Sequence, residues 1–220
     1  MDEFLSEKEQ LDLIRQWWRE NGWYLIGGVA LGVAGLLGWN QYGTYRDTQA
    51  EAAAALYVEL RQAVVDDAAG DARNVLAQLR ENYSGSPYTD HGGLLVAVMR
   101  MDDGQLIGAG DELRYVMQSS SDAQLAMIAR LRLARVLAQQ GEYAEALTTL
   151  DVDAGLFSAR FNEVRGDIHV ALGDPTSART AYNAALSTTE SDLVDRNLVQ
   201  MKLDDLPAAA SGATAQETAQ

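Results

Sequence analysis

The chain runs to 220 residues with 17 Lys and Arg against 32 Asp and Glu, a formal charge of −15, and it contains no cysteine. An acidic balance of this size argues against nucleic acid as a partner, because phosphate-backbone binding needs a basic footprint. The missing cysteines remove disulfides, thiol catalysis and thiolate metal sites together, and the length suits one domain with a sizeable core plus a short appendage.

Residues 4–20, FLSEKEQLDLIRQWWRE, repeat apolar side chains at helical spacing through Leu11, Ile14, Trp17 and Trp18, and Ser6 followed by Glu9 fits a capping box. This leader is read as an amphipathic helix on a membrane face or against a partner. No charge then occurs between Glu20 and Arg46, and the stretch WYLIGGVALGVAGLLGW covers Trp23 to Trp39. About 20 residues of helix are needed to cross a hydrocarbon core about 30 Å thick. Trp23 and Tyr24 at one end and Trp39 and Tyr42 at the other stand where amphipathic rings settle, at the two interfaces. A cleaved signal peptide has a short basic leader and a small-x-small site, whereas here a long polar leader precedes the run and bulky rings follow it, so an uncleaved anchor is expected. Gly28 and Gly32 form a GxxxG pair, with Gly35 one further turn along and Ala30 and Ala34 as a second small pair, a pattern that lets another membrane helix approach closely. Arg15 and Arg19 before the span, against Arg46 after it, favour a cytoplasmic N-terminus and an outer, periplasmic main domain.

Thr44 to Val65, with alanines at 52 to 55, reads as a helix leaving the membrane. From there to about residue 200 the chain is helical in period, with short loops. Four glycines, Gly70, Gly104, Gly141 and Gly173, stand 34, 37 and 32 residues apart, close to the period of a tetratricopeptide helix pair. The strip GEYAEALTTL, Gly141 to Leu150, fits a second helix, and Leu133, Ala134 and Leu137 its first. The following copy has Gly166 at the small crossing position, then Ala178, Tyr182 and Ala185, with Pro175 tolerated near a helix start. Weaker copies hold Ala97, Ala109 and Leu113, and earlier Ala63, Val75 and Leu79. Each pair leaves one apolar face open, so stacking is what completes the core. The tail PAAASGATAQETAQ from Pro207 lacks apolar period and is expected to be disordered. The expected class is all-α: a transmembrane helix followed by a degenerate tetratricopeptide-like solenoid. Its expected divisions are residues 1–22 cytoplasmic, 23–42 membrane-spanning, 43–205 periplasmic repeats and 206–220 tail.

Chemistry is hard to assemble from these residues. His91 and His169 are far apart without ligand spacing, the acid pairs Asp66-Asp67 and Asp102-Asp103 fall near helix ends, and no phosphate-binding glycine loop is present. Neither an enzyme nor a bound cofactor or metal is expected. Surface for binding remains. In the repeat register set by the glycines, the concave positions fall at Tyr57, Leu60 and Val64, then Leu94, Val98 and Met101, then Ile128, Leu131 and Arg135. These would make an apolar groove for an extended segment or a partner helix, with Arg135 available for a carboxylate. Helical periodicity alone equally allows that they are ordinary core.

The order of a short acidic leader with WW, a glycine-rich span and degenerate repeats resembles the YfgM-type family, ancillary subunits of the bacterial SecYEG translocon. The strips that carry the resemblance are QWWRENGWYLIGG, Gln16 to Gly28, and LARVLAQQG, Leu133 to Gly141. The resemblance extends to about residue 205. It implies a single-pass inner-membrane protein that joins the translocon to a membrane-anchored periplasmic chaperone, PpiD, and to newly exported polypeptides. The family offers no catalytic motif to carry over. A second class of function fits the same layout, an envelope-stress adaptor whose cytoplasmic leader binds a signalling protein.

Overall fold

The computed structural model describes residues 7–187 and 194–207. Ser6 of the expected capping box, and the expected tail from residue 208 onward, lie outside them. The described residues are helical, without strands. They form two compact units, one up to Ala52 and one from Ala53.

The first unit is helix α1, Glu7–Val65, as far as Ala52, and no break occurs at residues 22 or 42. Helix persists through five glycines of the apolar run, which in water would each cost about 1 kcal/mol relative to alanine. Its large apolar side chains are open on every side: Trp23 is 80% exposed, Leu31 75%, Leu36 73% and Trp39 79%. A helix apolar all round and unburied wants an apolar solvent, and this one is long and apolar enough to cross a membrane.

The second unit comprises the end of α1 and helices α2 (Ala69–Asn82), α3 (Pro87–Asp102), α4 (Leu106–Ser119), α5 (Ala123–Gln139), α6 (Tyr143–Leu150), α7 (Ser158–Ala171), α8 (Pro175–Ser187) and α9 (Arg196–Asp204). Helices pack on their sequence neighbours, α2 on α3 through to α8 on α9, and α5 also meets α7. That nearest-neighbour pattern is the stacking of a helical-repeat array.

Four turns repeat one device. At the ends of α1, α3, α5 and α7 the backbone enters the left-handed region at Asp67 (φ 57°), Gly104 (73°), Gly141 (84°) and Gly173 (73°). The next amide then reaches back five residues: Ala68 to Ala63 O (2.8 Å), Gln105 to Arg100 O (2.7 Å), Glu142 to Leu137 O (2.9 Å) and Asp174 to His169 O (2.9 Å). This is the Schellman ending, which satisfies carbonyls the helix would leave orphaned. The sequence reading placed the first turn at Gly70. It sits at Asp67, and Gly70 lies inside α2. Asp is one of the few residues other than glycine that tolerate this conformation, so the glycine signal was absent where the turn is.

Where helices cross, small residues are fully buried: Ala97, Ala109, Ala134, Ala146 and Ala178. Gly166 goes further, because a Cβ there would overlap the ring of Tyr182 from α8. A Cβ on Gly93 would stand 2.6 Å from Val116 Cγ2, a close approach of α3 and α4 that the repeat pattern did not announce. Moving the first turn to Asp67 also moves the first pair's register by three residues. Leu60 and Ala72, both without exposure, then occupy the crossing positions.

The starts of α3, α5 and α9 are fixed by side chains. Ser86 Oγ accepts from the Tyr88 amide with Pro87 following, Asp122 Oδ1 accepts from the amides of Gln124 and Leu125, and Asp195 Oδ1 from those of Asn197 and Leu198. Each such cap stabilises its helix by about 1 kcal/mol.

Candidate functional site: the repeat surface and its buried ion clusters

Register decides which of the expected groove residues reach solvent. Leu60, Leu94 and Leu131 are buried in the core, at 0%, 6% and 8% exposure. Tyr57 and Val64 are half-buried against the first core cluster, and Met101 and Ile128 against the larger one. Val98, at 38%, and Arg135 are the exposed members of the set. The three leucines stand at one repeat position, ten residues before Gly70, Gly104 and Gly141 in the glycine register, and all belong to the stack's interior. Tyr57 also packs its ring against Tyr88 and His91, with centroids 5.7 and 6.3 Å away. Gly28, Gly32 and Gly35 lie in α1 with open space where a Cβ would be.

Sequence reasoning missed two buried acids around which the charged side chains gather. Glu112 on α4 is 8% exposed and Glu163 on α7 2%. Glu112 takes Arg80 from α2 at 2.5 Å and Arg100 from α3 at 3.4 Å, so one carboxylate ties three helices. Arg80 also stacks over the Tyr115 ring, 3.9 Å from its centroid. Glu163 accepts from Arg160 Nη1 at 2.7 Å and from Lys202 Nζ at 3.0 Å. Lys202, on α9, donates further to both oxygens of Asp167, at 2.8 and 2.9 Å, and Tyr182 Oη donates to Asp167 Oδ1 at 2.8 Å. This network pins the last helix to α7.

The electrostatics follow from those partners. Burial pushes the Glu163 carboxyl up, but hydrogen bonds from Arg160 and Lys202 outweigh it and hold the group below the ordinary carboxylate range. Burial pulls the Lys202 ammonium down, yet hydrogen bonds to Asp167 and Glu163 win and raise it. Burial, then the Asp167 hydrogen bond, push the Tyr182 phenol upward. Asp174 at the turn before α8 is held low by hydrogen bonds from the Ser177 side chain and amide. The shifts at Glu163 and Lys202 accompany the ion pair that joins α7 to α9. Among the described residues no group of His, Asp and Glu is arranged to hold a metal ion.

Two features now define a class: a helix fit to cross a membrane, and a stack of helix pairs closed by left-handed turns. It is the class of membrane-anchored helical-repeat proteins. The comparison with family models agrees, matching a tetratricopeptide repeat-like domain over residues 15–208, a stretch that includes the span. Proteins named ancillary SecYEG translocon subunit match along nearly their whole length. That of Haemophilus influenzae is 30% identical over 203 residues, 92% of this chain and 98% of the relative. That of Neisseria gonorrhoeae is 30% identical over 205 residues, with the same coverage. That of Escherichia coli is 28% identical over 210 residues, 94% of this chain and 99% of the relative. This chain belongs to the family of ancillary SecYEG translocon subunits.

Proposed function

We propose that the chain is an accessory of the SecYEG translocon that works by binding. In this reading residues 1–22 lie in the cytoplasm, 23–42 cross the inner membrane and 43–205 form a periplasmic repeat domain. That domain meets a membrane-anchored chaperone of the PpiD type and polypeptides newly exported through the pore. The observation that supports this most is the extent of the family likeness, which takes in span and repeats together. Anchoring beside an exit pore raises the local concentration of a weak binder to about millimolar without any new contact. The glycine face of Gly28, Gly32 and Gly35 is the surface offered to a neighbouring membrane helix. Val98 and Arg135 are the exposed positions offered to polypeptide, and Tyr57, Val64, Met101 and Ile128 are the half-buried members of the same set.

The test is site-specific crosslinking of the full chain in membranes, with probes at Gly28 and Val98. Adducts with a translocon subunit from the first, and with a chaperone or exported chain from the second, are the expected result. Protease added outside spheroplasts should digest the repeat domain, and its survival there would reverse the orientation. The adaptor reading draws on the exposed apolar side chains of the leader, Leu11, Ile14, Trp17 and Trp18. Deleting residues 1–20 separates the two: an adaptor loses its output, whereas a translocon accessory keeps its periplasmic crosslinks.

A further inference from the structure

The repeat domain is acidic, yet one cleft in it is not. Arg73, Arg80 and Arg100 line a cleft of about 470 Å³ whose acids are Glu81 and Glu112. Guanidinium groups outnumber carboxylates there, in a chain whose formal charge is −15. Glu112 is shared between two of them, bonded to Arg80 and 3.4 Å from Arg100. A guanidinium carries five N–H donors, so one carboxylate cannot satisfy two forks. The Nε atoms of both Arg80 and Arg100 are buried without a hydrogen-bond partner.

These side chains are held in place by more than charge. Arg80 is stacked on Tyr115. Arg100 occupies the volume that a Cβ on Gly108 would take, so α4 carries a glycine where the guanidinium lies. Side chains already fixed lose little freedom when a ligand arrives, and planar forks suit planar carboxylates.

We infer that this cleft binds a carboxylate carried by a polypeptide, either an acidic side chain or a free chain end. The inference rests on the polypeptide-binding reading and supplies its chemistry. One surplus positive charge matches a monoanion better than a phosphate dianion, and Leu76 and Ala77 give the cleft an apolar part for a neighbouring side chain.

The experiment uses the full chain in detergent micelles and three fluorescent hexapeptides of alanine and leucine. One carries a glutamate and an amidated end, one a free terminal carboxylate without glutamate, and one neither. At least one carboxylate peptide should bind about tenfold more tightly than the neutral one, with the advantage shrinking as salt rises. Which of the two gains identifies the source of the carboxylate. Ala77→Glu places a competing acid in the cleft at an exposed helical position, and should abolish the advantage while leaving the unfolding transition in place. Arg73→Gln should reduce it several-fold. Equal binding of all three peptides overturns the cleft assignment and leaves polypeptide binding standing. An advantage that survives Ala77→Glu overturns the assignment as well, and so does stronger displacement by glycerol phosphate than by acetate, which would point to a lipid headgroup. No binding by any peptide overturns both this inference and the reading beneath it.

Discussion

The apolar part of α1 and the stacked helices α2 to α9 have the same secondary structure and opposite solutions to burial. In α1, Trp23, Leu31, Leu36 and Trp39 are all more than 70% exposed, and glycine is spread along the helix where nothing approaches it. In the stack, apolar side chains face inward, and Gly93 and Gly166 stand where a neighbouring side chain fills the Cβ position. Glycine therefore means different things in the two regions: permissive in a segment meant for lipid, obligatory at a crossing in the array. Charge divides them too, since the first region excludes it and the second buries it in paired form.

The comparison breaks most completely if the exposed helix is denied its solvent. Leu31→Arg together with Leu36→Arg should cost about 3 kcal/mol each for insertion and move the chain from the membrane to the soluble fraction, read by carbonate extraction. The stack should be untouched, with unchanged hydrogen-exchange protection in α2 to α9.

The next effect concerns the paired charge. Glu163→Gln removes the buried carboxylate that Arg160 and Lys202 both meet, and should cost about 3 kcal/mol, with hydrogen exchange rising first in α9. The wild-type pH profile follows from the same groups. A carboxyl held below its ordinary 4.5 contributes stability that is complete above that value and lost as pH falls through the folded one. An ammonium raised above 10.5 contributes stability that is complete below that value and lost as pH rises through the folded one. Tyr182, raised above 10.0, adds to the alkaline loss because the unfolded phenol ionises first. Denaturation midpoints should be flat between about pH 5 and about pH 10 and fall on both sides, with the acid limb weakened in Glu163→Gln.

Smaller still is a test of the obligatory glycine. Gly166→Ala puts a methyl group into the Tyr182 ring, which is itself 2% exposed and hydrogen-bonded to Asp167. A loss of about 2 kcal/mol is expected in thermal unfolding, while Gly32→Ala in α1, where space is open, should change nothing in the stack.

Legibility follows the same division. The span was readable because membrane solvent imposes a long unbroken apolar run with aromatic ends, and no tertiary detail is needed to see it. The last two repeats were readable because glycine occupies both left-handed turns, Gly141 and Gly173, and small residues occupy the crossings. The first repeat was misread by three residues because Asp67 supplies its turn, while helical periodicity left groove and core open for Leu60, Leu94 and Leu131, all of which are buried. Glu112 and Glu163 were missed although a signal existed. Glu112 follows Ala109 by three and precedes Val116 by four, so it stands at a core-facing position where an acid demands partners. What no periodicity supplies is the source of those partners, since Arg80 lies 32 residues before Glu112 and Lys202 39 after Glu163.

The smallest effect isolates the turn itself, since all four endings share one hydrogen-bond pattern and differ in the residue that adopts the left-handed conformation. If the backbone dictates glycine there, Asp67→Gly should stabilise the stack and Gly141→Ala should destabilise it, each by about 1 kcal/mol. The sign of the first is informative because glycine also loosens the unfolded chain, which subtracts from the gain. A rise in the denaturation midpoint for Asp67→Gly means relief of the Cβ outweighs that entropy. A fall would mean that the aspartate is held by more than tolerance, and the first turn would then be a specialised end of the array instead of a weaker copy of the other three.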